Sequence, residues 1–222
     1  MDFETEEQQL EAIKKWWKEN SSNVIGGIAI GVTAIFGWQY YQQQTVNHAE
    51  HASILYEEVM IKAENPQGID EVRGKVNQLE AEFADTPYAS LAALVLAKQY
   101  FAADQYEKAQ QQYEWVIANS QQDDTRYLAK LRLARLLLSD KQADKALNLL
   151  NENYPESFQA MALELKGDVL LSQNKAALAR QAYQQALAAS SGSNRWLQLK
   201  IDDIGDSSDQ LDTSTGNTEP SA

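Results

Sequence analysis

The sequence predicts an all-α protein, with one N-terminal transmembrane helix followed by a stack of helix pairs (an α-solenoid) and a C-terminal capping helix. Three observations carry this. Val24 to Tyr41, VIGGIAIGVTAIFGWQYY, is an uncharged run of 18 residues that is apolar on every side. The chain that follows is rich in Ala, Leu, Gln and Glu, and the whole sequence holds only four prolines, a composition that favours helices. Within that stretch one pattern returns at offsets of 37 and 33 residues.

The apolar run comes first in the chain. At 1.5 Å per residue it spans roughly 27 Å, close to the hydrocarbon thickness of a bilayer. Trp16 and Trp17 precede it, and Trp38, Tyr40 and Tyr41 close it, where headgroup-level rings anchor a span. Lys14, Lys15 and Lys18 lie just before it, and the first cation beyond it is Lys62. The positive-inside rule therefore predicts residues 1–23 in the cytoplasm, 24–41 across the membrane and the rest outside. A cleaved signal peptide fits poorly, because the leading segment is long and mostly acidic and no small-residue cleavage site follows the core. A buried soluble helix would show an apolar stripe instead. Gly27 and Gly31 form a GxxxG, and Thr33 and Gly37 continue a row of small residues that lets helices approach closely in lipid.

Composition narrows the function. Lys and Arg total 19 against 32 Asp and Glu, a net charge of −13, and no basic patch is visible for nucleic acid. Without cysteine there is no disulfide framework, Cys-based zinc site or thiol chemistry. His48 and His51 share a helix face but lack an obvious third ligand, and read as a solvated surface. No phosphate-binding loop, HExxH or GxSxG occurs. The expectation is a non-enzyme without cofactor or metal.

Residues 42–204 form the predicted domain outside the membrane. Ala52–Ala63 and Ile69–Ala84 read as a first helix pair around the turn Asn65-Pro66-Gln67-Gly68, with Val72, Val76, Leu79 and Phe83 on one face. Asp85-Thr86-Pro87 caps the next helix. Three segments then align, 91–117, 128–154 and 161–187. Ala97, Ala134 and Gly167 match in the first helix of each pair. Ala109, Ala146 and Ala179 match in the second, as do Tyr113, Leu150 and Tyr183. Asn194 to Ile204 reads as the amphipathic cap, and 205–222 as a disordered acidic tail.

A small residue in helix A, Ala in helix B and an aromatic four residues later resemble the tetratricopeptide repeat. The Trp that opens that pattern is missing from all three segments and the closing Pro is displaced or missing, so the repeats are degenerate. Together with the opening MDFETEEQQLEAIKKWWKENSSNVIGGIAIG, the chain resembles the YfgM-type family of ancillary SecYEG translocon subunits. The resemblance implies a Gram-negative inner-membrane protein with a periplasmic domain. It implies association with SecYEG and with a PpiD-like periplasmic chaperone, and help in passing newly translocated client proteins to chaperones.

Repeat stacks offer a concave face lined by helix A side chains. Alignment places Leu94, Lys98 and Phe101 there from the first repeat, Leu131, Arg132, Arg135 and Leu138 from the second, and Glu164, Asp168 and Leu171 from the third. The leucines serve equally well as core. Two classes of function stay open: a groove that binds clients or a chaperone, and a structural accessory or envelope-assembly scaffold that acts through its anchor. Replacing Gly27 and Gly31 with leucine is expected to reduce crosslinking of the span to a membrane partner; undiminished crosslinking would remove the glycine row as a packing surface.

Overall fold

The computed structural model describes residues 6–65, 68–190, 192 and 194–214, which are helical with short connections. They fall into two compact units, Met1–His51 and Ala52–Ala222. The first helix, α1 (Glu6–Ala63), has no end at 23, 41 or 51, although the sequence divides this region into separate segments. The reason is that no proline precedes Pro66, and isolated glycines are tolerated within a helix.

In the first unit the apolar run is exposed from Ile25 to Tyr41, and α1 is the one helix among the described residues long and apolar enough to cross a membrane. Its polar side chains turn back onto the backbone. The Thr33 hydroxyl donates to the Ala29 carbonyl at 2.9 Å and Thr45 to Tyr41 at 3.1 Å. A Cβ added at Gly27, Gly31 or Gly37 would meet nothing within 4 Å, so these glycines answer to no contact inside the chain.

The second unit pairs the end of α1 with α2 (Ile69–Glu82), then α3 (Pro87–Ala102) with α4 (Tyr106–Asn119), α5 (Asp123–Ser139) with α6 (Ala143–Leu150), and α7 (Glu156–Ser172) with α8 (Ala176–Ala189). Successive helices from α2 to α9 pack against one another, and α5 also touches α3 and α7. This is the solenoid that the repeat predicts. Val72, Val76, Leu79 and Phe83 form the buried face of the α2 segment as their spacing requires. Thr86 takes the N-cap position of α3 with Pro87 behind it, but its hydroxyl donates to the Phe83 carbonyl at 2.8 Å and caps no helix N–H. In the turn before α2, Pro66 and Gln67 lie outside the described residues.

The repeat is also written in the backbone. Asp104, Lys141 and Asn174, again 37 and 33 residues apart, take φ of 55°, 60° and 59° in the turn from helix A to helix B. The residue after each donates its N–H to the carbonyl five residues back: Gln105 to Tyr100, Lys175 to Leu170 (both 2.9 Å) and Gln142 to Leu137 (2.8 Å). This is the Schellman ending of a helix, which usually recruits Gly or Asn. The second repeat departs in its B helix, which stops at Leu150; the chain then turns through buried Tyr154, whose ring meets Tyr127 at 5.6 Å.

The last helix, α9 (Arg195–Ser214), starts on the Asn194 side chain, whose Oδ1 accepts the Leu197 N–H at 3.2 Å. Leu197, Ile201 and Ile204 bury one face beside Tyr183 and Ala186, closing the apolar end of the stack. The helix outruns the expected end at Ile204, because no proline intervenes before Pro220. Residues 215–222, the remainder of the expected acidic tail, lie outside the described residues.

Small residues are buried at the matching positions of the three aligned pairs. Ala97, Ala134 and Ala109 are fully buried, as are their counterparts Ala146 and Ala179. At the third crossing a Cβ on Gly167 would overlap the Tyr183 ring. Gly167→Ala is therefore expected to cost about 1–3 kcal/mol in urea melts of the full chain, despite alanine's better helix propensity. In a Tyr183→Leu background, which installs the residue found at Leu150, that cost should vanish. An equal cost in both backgrounds would refute the assigned contact.

A second expectation concerns Glu80, whose Oε1 is buried without a hydrogen-bond partner among the described residues. Burial pushes its carboxyl up from 4.5 to about 7. The folded state then holds this proton more tightly than the unfolded chain, so its contribution to stability falls as pH rises from 4.5 to about 7. Glu80→Gln is expected to flatten that slope. Because part of the carboxyl still meets water, the gain at pH 8 is about 1 kcal/mol, roughly 2–4 °C in Tm. Melting curves at pH 5 and pH 8 check this.

Candidate protein-docking face

The first helices of the pairs carry the predicted groove residues, and burial divides those residues into three groups. Leu94 and Leu131, 4% and 7% exposed, belong to the core, and Leu138 and Phe101 pack partly against it. Phe101 also meets the Tyr106 ring at 5.7 Å. These four side chains hold the stack together, and Leu94 and Leu131 cannot reach a ligand. Leu171 is 41% exposed.

Glu164 and Asp168 are engaged inside the chain. Lys200 of α9 reaches both, at 2.8 and 2.7 Å, and sits 5.3 Å from the centroid of the Tyr183 ring. Tyr183 donates its own hydroxyl to Asp168 at 2.7 Å. Burial pulls the Lys200 ammonium down, but hydrogen bonds and charge from Asp168 and Glu164 outweigh it and hold the ammonium above its usual range. Burial, then the Asp168 bond, pushes the Tyr183 phenol up. This cluster fixes α9 to α7 and α8, and it engages, through one shared ammonium, the two carboxylates that the sequence alone assigns to an open groove.

Lys98, Arg132 and Arg135 remain. Lys98 and Arg135 are exposed and Arg132 is half-buried, and none has a carboxylate partner among the described residues. Burial pushes the Tyr113 phenol up while Arg132 and Arg135 pull it down, so both guanidiniums act near that hydroxyl. The neighbouring cations are spent: Lys130 pairs with Glu152 and Arg126 with Asp123.

Lys98 also opens onto a cleft that the sequence reading missed. The cleft measures about 490 Å³ and lies between the end of α1 (Met60, Ile61, Ala63) and the second half of α3 (Val95, Gln99, Ala102, Ala103), with Glu57 and Glu64 at the α1 edge. Gln99 holds the two walls together by donating Nε2 to the Ala63 carbonyl at 3.1 Å, which satisfies one of the last acceptors of α1. Met60 and Ile61 are 44% and 63% exposed. A signal was present. Ala52, Val59 and Ala63 account for the core-facing side of this helix, which leaves Met60 and Ile61 as apolar residues without a core to join.

The arrangement offers an apolar cleft with Lys98 at its rim, and two further cations on α5 without a carboxylate partner among the described residues. The comparisons with known proteins agree with the fold. The model for the tetratricopeptide repeat-like domain matches residues 14–206. The ancillary SecYEG translocon subunit of Escherichia coli K12 is 30% identical over 91% of this chain and 98% of its own length. That of Aggregatibacter actinomycetemcomitans is 31% identical over 82% and 88%, and that of Neisseria gonorrhoeae 27% over 90% and 97%. Among solved structures, the TPR-like repeats of a Podospora anserina kinesin light chain superpose with a TM-score of 0.58 at 15% identity, over 73% of this chain and 89% of that one. The chain therefore belongs to the tetratricopeptide repeat-like domain family and, within it, to the ancillary SecYEG translocon subunits.

Proposed function

We propose that this chain is a translocon-associated adaptor, anchored in the bacterial inner membrane by residues 24–41 with residues 1–23 in the cytoplasm and the repeat domain in the periplasm. What supports it above all is a match to translocon subunits that runs through both the span and the repeats. Orientation rests on Lys14, Lys15 and Lys18 at one end of the span, with no cation before Lys62 at the other. The partners of this reading are SecYEG, a PpiD-like periplasmic chaperone and newly translocated clients, which the helix A face would engage while the chain itself carries out no reaction.

A specific observation favours a second reading. A Cβ at Gly27, Gly31 or Gly37 would meet nothing in the chain, so the anchor could carry the association alone and the repeats serve as spacer. Photocrosslinking amino acids at Ile28, Met60, Lys98 and Arg135 in living cells separate the two. The adaptor reading expects translocon subunits from Ile28 and a chaperone or client from the other three. Crosslinks from Ile28 only would support the accessory, and no translocon crosslink from any position would defeat both.

A further inference from the structure

We infer that Lys14, Lys15 and Lys18 form a one-sided site on α1 for an anionic phospholipid headgroup of the cytoplasmic leaflet, with Trp17 at its border. This rests on the membrane-anchor reading and adds a ligand for the segment that precedes the span.

The first support is placement around the helix. α1 runs unbroken through the lysines and into the span, so these residues hold a fixed angular relation. At 3.6 residues per turn, Lys14, Lys18 and Lys15 follow one another within an arc of roughly 100°, and Trp17 lies just beyond Lys14. Orientation by positive charge needs only a count of cations near the span; it does not need them on one face. All three lysines are exposed, as are Trp16 and Trp17. They are also the only cations before Lys62 in a chain whose net charge is −13.

The second support is that this charge is unmatched inside the chain. Glu11 and Glu19 each stand four positions from Lys15, the spacing of a helical ion pair. Even so, none of the three lysines has a carboxylate partner among the described residues. Lys62, Lys75, Lys130 and Lys200, in contrast, all pair with carboxylates.

The third support is depth. Asn20, Ser21, Ser22 and Asn23 separate the charged segment from the apolar run. Four residues rise roughly 6 Å, about the thickness of one headgroup layer. The lysines therefore stand at the water edge of that layer, where flexible stems bring ammoniums to lipid phosphates and indole rings settle beside them. An acidic protein segment fits less well. The anchor holds the patch against a leaflet whose phosphates are always at high local concentration, whereas a protein must arrive by diffusion.

The test is native mass spectrometry of the full chain, released from neutral-detergent micelles that hold equal amounts of phosphatidylglycerol and phosphatidylcholine. Phosphatidylglycerol should be retained about tenfold more often, with the preference falling as salt rises before release. Combined Lys14→Gln, Lys15→Gln and Lys18→Gln should abolish the preference. Combined Ile13→Lys and Lys14→Ile keeps three cations at nearly the same depth but spreads them over roughly 200°, and should reduce the preference about threefold. Equal retention of the two lipids by the wild-type chain would overturn the inference and leave the lysines to an acidic protein partner. An unchanged preference in either variant would also overturn it, the second case reducing the site to a diffuse belt of charge. The wild-type comparison stands even if a variant fails to fold. Equal retention leaves the anchor intact, whereas a full chain that stays soluble without detergent would defeat the anchor reading itself.

Discussion

The second unit depends on one constraint, the close approach of the two helices in a pair, which needs small buried residues at matching positions: Ala97 and Ala109, Ala134 and Ala146, Gly167 and Ala179. A single pair cannot bury enough surface to be stable, so pairs must stack, and stacking at constant geometry requires the crossing to recur. It recurs with the same offsets as the left-handed turn residues Asp104, Lys141 and Asn174. The turn fixes the angle at which helix B leaves helix A, and the crossing fixes how near it returns. At Gly167 the approach is close enough that the Tyr183 ring occupies the place of a Cβ.

The same crossing organises the charges. Tyr183 crosses at Gly167 and donates its hydroxyl to Asp168, which also pairs with Lys200. The end of the stack is thereby closed twice, by Leu197, Ile201 and Ile204 and by an ion-paired cluster. With its acids used there, the helix A row is left with unbalanced cations at the first and second repeats. A packing constraint in the third repeat thus shapes the electrostatics of the face that remains open.

The fold was legible in the sequence because its signals are local. The uncharged run from Val24, the small-residue register and the face of Val72, Val76, Leu79 and Phe83 each depend on periodicity within one element. Helix ends were less legible. Nothing local distinguishes a span that stops at Tyr41 from one that continues, and the helix persists to Ala63 because no breaker interrupts it. The candidate site was legible only by half. Repeat alignment placed Lys98, Arg132 and Arg135 on the first helices of their pairs, where Lys98 and Arg135 are exposed and Arg132 is half-buried. It could not tell Leu94 and Leu131 from groove residues, because a helix between two layers buries more than one stripe. It also could not foresee that Lys200, over 30 positions away, neutralises Asp168, or that the end of α1 joins α3 to form a cleft.

On the adaptor reading the anchor works in lipid and the repeat face in water, and that face is occupied when the translocon is present. Hydrogen–deuterium exchange on the full chain in nanodiscs, alone and with the assembled SecYEG complex translocating a client, measures this directly. Slowed exchange of backbone amides at residues 57–64 and 95–103 during translocation is the predicted result, because the cleft closes over bound chain. Unchanged exchange there, with protection confined to residues 24–41, would contradict it and assign the association to the membrane helix alone.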